Sequence, residues 1–349
     1  MELGSDFELD ITSLKETEDT IFRYLDGYHS IYTDSGRSAG RLLNHKLSQG
    51  TVLLPAYICE SVVDVYREGY QIVYYQVKDD LRIDMDDLEG KLSENVCLVY
   101  LMHYFGQLQP EDVLQRLSDL RTKYGFVIIE DTTHSIFTKR HTIGDYCLCS
   151  LRKWFPIPDG AVLYSEAELD LEKGRLLSRK APSRRLEAMV LKHAYIHDGV
   201  DGHSLYRQIF MGEEEKLDGQ KEQYQISYVS EALLRGLPVE EMAVQRRHNC
   251  NRLRSFLGQL GIQCLVSGKE TVPLTCPIYM PNRDAFRSYL SDSQIYCAVH
   301  WPLPKEQDNE AARWISSHII SLPIDQRYGD LHMEYLEHII KGGSKLWMA

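Results

Sequence analysis

Short, unbroken apolar runs alternate with longer amphipathic stretches along this chain, and that alternation restricts its fold more than any other feature. Val96-Cys97-Leu98-Val99-Tyr100-Leu101-Met102 and Val127-Ile128-Ile129 offer almost nothing polar to a solvent-facing side. Strands of this kind must be covered on both faces. In alternation with helices they indicate an α/β protein with a mainly parallel central sheet and helices on both sides. The spacing predicts strands over 51–54, 71–76, 96–102, 126–130, 146–149 and 161–164. It predicts helices over 39–47, 60–68, 85–92 and 111–124. Residues 1–30 read as a polar lead-in and a helix, and residues 31–235 as a large domain. That domain carries a polar excursion of helices and mobile chain around 166–224, in which Gly212-Glu213-Glu214-Glu215-Lys216 reads as a solvated loop. A long amphipathic helix is expected after Ser230, inside or leading into a smaller α+β domain over 236–349.

With 349 residues, 43% of them hydrophobic, the chain can bury a large core and suits two domains. Its net charge is −12 and no basic run exceeds Arg184-Arg185 or Arg246-Arg247, which argues against a nucleic-acid partner. No run approaches the ~20 apolar residues that span a bilayer. The acidic start Met1-Glu2-Leu3-Gly4-Ser5-Asp6 lacks the apolar core of a signal peptide, so a cytoplasmic location is expected. The eight cysteines include no C-x-x-C pair, which speaks against a zinc knuckle, and several sit in apolar runs as expected of buried reduced thiols. Glu130, His134 and His141 are close in sequence but fit no metal-ligand spacing, and no metal is expected.

Three segments carry candidate chemistry. Asp34-Ser35-Gly36-Arg37-Ser38-Ala39 is a small-residue turn before a helix. Free N–H groups at a helix start favour a phosphate, although Ser35 or Ser38 could simply cap the helix. Glu130-Asp131-Thr132-Thr133-His134 follows a buried strand. In open α/β sheets ligands gather at carboxyl ends of strands, and an Asp there can pair with a protonated ring nitrogen or merely cap the next turn. In Ser150-Leu151-Arg152-Lys153-Trp154 the lysine has Cys149, Leu151, Trp154 and Phe155 around it in sequence. Desolvation by such neighbours would lower its pKa and free its lone pair, whereas a lone lysine is ordinarily a surface residue.

The order of these segments resembles the DegT/DnrJ/StrS group of pyridoxal-phosphate (PLP)-dependent sugar aminotransferases. The resemblance extends to Leu54-Pro55-Ala56-Tyr57, His103-Tyr104-Phe105-Gly106-Gln107, Gly144-Asp145, Val299-His300-Trp301-Pro302 and Ser321-Leu322-Pro323. It covers roughly 33–164 and 240–340. It implies fold-type I, with Lys153 holding the cofactor as a Schiff base and moving protons at the substrate carbon. Asp131 would pair with the pyridine nitrogen and His134 would lie beside the ring. Ser35, Gly36, Arg37, Ser38 and Ser150 would hold the phosphate, and Tyr57 and His103 would line the ring. His300 and Tyr228 are candidate substrate residues. The family is dimeric with active sites at the subunit interface, so a homodimer is implied.

The chain departs from the family in several places. Three residues, rather than the usual five, separate Ser150 from Lys153; Arg37 replaces a threonine; Cys59 stands where an aromatic usually stacks on the ring. Tyr224-Gln225-Ile226-Ser227-Tyr228 occupies the approximate place of a segment that crosses from the partner in the family. The leading expectation is transfer of an amino group, from glutamate, to a keto group on a nucleotide-linked sugar or related intermediate. The alternatives are a PLP-dependent lyase, dehydratase or racemase acting on a small amino acid or carrier-bound intermediate, and a non-catalytic regulatory homologue.

Overall fold

The computed structural model describes residues 1–171, 176–303 and 307–343. These form two compact units, each assembled from separate segments: 1–5, 47–145 and 242–349 in the first, 6–46 and 146–241 in the second. The serial division at residues 30 and 235 is therefore corrected. The chain leaves the first unit after Ser5, returns near 47, leaves again after Asp145 and returns near 242.

The first unit is built on four parallel strands. Gln71–Tyr75 pairs with Thr51–Pro55, which pairs with Val96–Met102, which pairs with Val127–Asp131. All seven residues of Val96–Met102 are buried, as the absence of a polar face requires. Parallel neighbours need crossovers, supplied by the helices Glu60–Tyr66, Met85–Gly90 and Glu111–Tyr124. The last of these has sharp ends. Pro110 precedes it, Glu111 and Asp112 lie in its first turn, Lys123 lies in its last, and Gly125 closes it at φ +77°. Its buried stripe is Val113, Leu114, Leu117 and Leu120, each side chain contributing about 1.5–3 kcal/mol on burial. The C-terminal segment of this unit adds an antiparallel pair, Cys276–Tyr279 with Ile319–Leu322, and the helices Arg283–Asp292, Glu310–His318 and Asp330–Gly342.

In the second unit His29–Thr33, Ala161–Ser165 and Tyr146–Cys149 pair antiparallel in that order. The first of these strands was not expected; the helix expected within residues 1–30 is the single turn Ile21–Tyr24. The polar stretch around 166–224 contains two long helices, Ser183–His197 and His203–Gly219, packed through Ala188, Met189, Tyr206, Ile209 and Phe210. The acidic patch Gly212–Lys216 is thus a helical turn and not a solvated loop, because Glu214 meets two arginines there. The long helix expected after Ser230 is Val239–Gln259, preceded by the short helix Tyr228–Leu234.

Candidate functional site

Asp131 ends its strand 5% exposed. One carboxylate oxygen accepts a hydrogen bond from the Tyr100 hydroxyl at 2.8 Å, and the other from the Thr133 backbone N–H at 2.8 Å. Burial pushes its pKa up, and the bonds from Thr133 and Tyr100 only partly offset this. Among the described residues no Lys, Arg or His forms an ion pair with it, so the carboxylate is suited to a cationic partner.

Glu130, one residue earlier, is equally buried but fully occupied. It accepts from the backbone N–H groups of Thr142 (3.0 Å), Ile143 (3.1 Å) and Gly144 (2.9 Å), and lies 3.2 Å from Nε2 of His103. Burial alone would raise its pKa, but His103 and these N–H groups hold it at about 2. On His103, Nδ1 accepts from the Gln109 N–H at 3.0 Å, so Nε2 carries the proton donated to Glu130. With no exposure and both ring nitrogens engaged, His103 is a brace for Glu130. The structure corrects its assignment as a cofactor-lining residue.

His134 is 1% exposed and its Nδ1 accepts from the Phe105 N–H at 3.2 Å, which leaves the proton of the neutral ring on Nε2. Phe105 holds φ at +57°, an unusual conformation for an aromatic residue. Gly106 follows at φ +101°, and a Cβ there would sit 2.6 Å from the Val272 carbonyl oxygen. Trp301 stacks on His134 with centroids 5.5 Å apart and planes at 25°. His300 meets His134 edge-on at 5.4 Å and its Nδ1 lies 2.8 Å from the Ser321 hydroxyl. Tyr57 lies 5.3 Å from Trp301, and its hydroxyl is buried without a hydrogen-bond partner. The first unit therefore brings together Asp131 with Tyr100 and Thr133, and gathers Tyr57, His134, His300 and Trp301 into one aromatic group.

The second unit gathers the remaining candidates. Ser35 caps the helix Gly36–Asn44, accepting from the Ser38 N–H at 3.2 Å. Gly36 packs close to Ser150, whose Cβ would lie 3.9 Å from a Cβ built on the glycine. Arg37, in the first turn, pairs with Asp218, while its Nε is buried without a partner. Arg152 pairs with Glu214 at 2.6 Å, and Arg185 pairs with the same carboxylate and with Asp6 at 2.7 Å. Burial would raise the pKa of Glu214, but Arg152 and Arg185 outweigh it and hold the carboxyl below its ordinary range, with Lys153 adding to the pull. Lys153 itself is exposed, which corrects the expectation of an amine shielded by its sequence neighbours. The 3-10 turn Leu151–Lys153 buries Leu151, and Trp154 and Phe155 after it, and leaves the lysine outside. A cavity of about 330 Å³ beside Arg152 is lined by Lys180, Arg184, Arg185 and Lys216, with Asp34, Asp159 and Glu213 among the acidic residues. Tyr228 is 75% exposed, with the Arg179 guanidinium 4.1 Å from its ring centroid.

The family model described as the DegT/DnrJ/EryC1/StrS aminotransferase family matches residues 9–153, which contain the Ser35 turn, Asp131, His134, Ser150 and Lys153. Over those residues the chain matches that family's model. Among solved structures it is similar to the aminotransferase TlmJ from Streptoalloteichus hindustanus, at 16% identity and TM-score 0.66, over 96% of this chain and 93% of that one. It is similar to AtS13 from Actinomadura melliaura at 17% identity and TM-score 0.69, over 98% and 99%. NtdA from Bacillus subtilis, whose structure holds bound PMP, matches at 13% identity and TM-score 0.63, over 90% and 73%. At these identities the likeness is one of fold. No curated protein matches the chain.

Against the DegT-type pattern, three neighbours of the candidate residues escaped the sequence: Tyr100, Trp301 and Glu214. Tyr100 was visible as the one hydroxyl in an otherwise apolar strand. Trp301 lay inside a quoted motif. Glu214 gave no signal, since its arginine partners are 62 and 29 residues away. Two of the departures have local structural uses. Ser227 caps the helix Tyr228–Leu234 and donates to Asp159 at 2.5 Å, and Cys59 precedes the helix Glu60–Tyr66 and lies 3.1 Å from the Ser61 hydroxyl.

Proposed function

We propose that this protein is a pyridoxal-phosphate-dependent aminotransferase that takes an amino group from glutamate and passes it to a keto group on a nucleotide-linked sugar or a related biosynthetic intermediate. The observation that carries this reading is the Asp131 carboxylate. It ends a parallel strand within the family match, buried, raised in pKa and in no ion pair among the described residues. A protonated pyridine nitrogen fits such a group. The buried, unpartnered Nε of Arg37, on the first turn of the helix that Ser35 caps, fits a phosphate.

When bound, the cofactor supplies an electron sink for charge developing at the substrate carbon. Asp131 would keep the ring nitrogen protonated, and Tyr100 and Thr133 would keep Asp131 oriented and ionised. Nε2 of His134 would offer its proton as a hydrogen-bond donor beside the ring. Ser35, Ser38, Ser150, Arg37 and the backbone at Gly36 would bind the phosphate. Nζ of Lys153 would bind the cofactor covalently and carry the proton at the substrate carbon. His300 and Tyr228 are proposed to face the substrate. The cations around Arg152 suit an acceptor carrying a diphosphate. We place the enzyme in the cytoplasm as a homodimer; no helix among the described residues is long and apolar enough to cross a membrane.

The test is an absorbance spectrum of the purified protein before and after glutamate, beside Lys153→Ala. The wild type should absorb at roughly 410–430 nm, as enzyme-bound cofactor does, lose that band with glutamate, and yield a borohydride-reducible adduct. Lys153→Ala should yield none. An adduct that persists in Lys153→Ala overturns the lysine assignment. A cofactor band unmoved by glutamate or any common amino donor overturns transamination in favour of a lyase. Failure of the wild type to take up the cofactor overturns the enzymatic reading.

A further inference from the structure

Cys250, Cys264 and Cys276 lie in the first unit, and the site just described uses none of them. Cys250 is on the helix Val239–Gln259 and Cys276 opens the strand Cys276–Tyr279. Cys264 is on a neighbouring segment that bridges Ile278, with the Leu265 N–H donating to the Pro277 carbonyl at 2.9 Å. They are 3%, 7% and 0% exposed and belong to the same apolar cluster as Leu253, Leu257, Val266 and Ile278.

Three sulfur atoms from three separate elements converge. All lie within 4.8 Å of one another, and those of Cys264 and Cys276 are 3.2 Å apart. Sulfurs this close can converge on one ion at the length of a metal–thiolate bond, ~2.3 Å. Cysteine alone would serve as a small apolar filler, but filling a core does not require three thiols to point at one spot. Accepting S–H bonds from Cys250 and Cys276 lowers the pKa of the Cys264 thiol against the opposing effect of burial.

We propose that Cys250, Cys264 and Cys276 form a three-sulfur binding site for a soft, monovalent d10 cation of the Cu(I) class. The donor set is sulfur only, which selects soft ions over Mg, Ca or Mn. Among the described residues no fourth His, Cys, Asp or Glu joins the group. Zn(II) in structural sites is almost always four-coordinate, so three converging thiols favour an ion content with fewer ligands. Each S–H that becomes a ligand loses its proton to solvent as the sulfur–metal bond forms. No electrons are exchanged, and uptake strengthens as pH rises.

The experiment uses the full chain, anaerobic and kept reduced by a phosphine, titrated against Cu(I) held by a colorimetric Cu(I) chelator. The expected result is withdrawal of one equivalent, a near-ultraviolet sulfur-to-metal absorption, and an upward shift of the thermal midpoint. All three should be lost in Cys264→Ser and kept in Cys59→Ser, which removes a partly exposed thiol elsewhere. Cu(I) should also protect Cys250, Cys264 and Cys276, and not Cys59, from alkylation of the wild-type protein in moderate urea. This second readout stands even where the serine variant does not fold. No withdrawal from the chelator, withdrawal unchanged in a folded Cys264→Ser protein, unchanged alkylation, or preferential uptake of Zn(II) would each overturn the proposal. None of these readouts depends on aminotransferase activity.

Discussion

Replacing Glu130 by Gln isolates what one buried carboxylate contributes to this fold. In the native protein Glu130 accepts three backbone N–H groups from 142–144 and the Nε2 proton of His103. These hold its pKa at about 2, down from 4.5. A carboxyl lowered in the folded state favours that state once it is ionised. Its contribution is complete above the unfolded pKa and drains away as pH falls from about 4.5 towards 2. At 1.36 kcal/mol per pH unit the lowering corresponds to about 3 kcal/mol. The glutamine would place an NH₂ group against donors that need an acceptor, which at a buried site costs about 1–3 kcal/mol per group left unpaired. The measurement is urea unfolding of wild type and Glu130→Gln at intervals from pH 7 to pH 2.5. The variant should be less stable at pH 7, and the gap between the two curves should close by about 3 kcal/mol on acidification. Taking the difference cancels the other carboxylates. A gap that is constant with pH would refute the coupling of Glu130 to His103 and the 142–144 turn.

Three further outcomes follow from the geometry. Tyr100→Phe removes the 2.8 Å bond to Asp131; loss of a hydrogen bond to a charged group should weaken retention of pyridoxal phosphate by roughly 10- to 100-fold, or about 1.5–3 kcal/mol, measured by equilibrium dialysis, with the effect fading at low pH as Asp131 protonates. Gly106→Ala forces a Cβ to within 2.6 Å of the Val272 carbonyl at φ +101° and should cost at least about 1–3 kcal/mol in urea unfolding; a midpoint unchanged from wild type would contradict that close approach. Leu117→Ala empties a fully buried position of the helix Glu111–Tyr124 and should cost about 2–5 kcal/mol, visible in the same assay without a change in the cofactor spectrum.

The parallel half of the fold was legible because its signals are local. The helix Glu111–Tyr124 carries its own stop and start in Pro110 and Gly125, and Val96–Met102 has no face to offer water. The strand His29–Thr33 was missed since only Ile31 and Thr33 are buried, and neither a long apolar run nor a clean alternation marks it. The acidic run at 213–215 was taken for solvated chain because charge reads as exposure until its partners are known. Here Arg152 and Arg185 reach Glu214 from distant positions, something no window of sequence contains. Lys153 was misjudged for a related reason. Apolar neighbours in sequence are not neighbours in space when a 3-10 turn sends them inward and the lysine outward.

Glu130 and Asp131 show how one strand end can serve two purposes. Successive side chains of a strand leave on opposite sides, so two adjacent carboxylates enter different surroundings. One meets a turn whose backbone N–H groups and a histidine satisfy it completely, and its pKa falls to about 2. The other meets two donors and burial, and its pKa rises. The first carboxylate is ionised at any physiological pH and already spent on structure. The second holds a preference for positive charge that His103, bonded to Glu130, meets only in part and that a bound cation would satisfy. That difference in satisfaction, more than the sequence motif the two share, is why Asp131 and not Glu130 is proposed for cofactor chemistry.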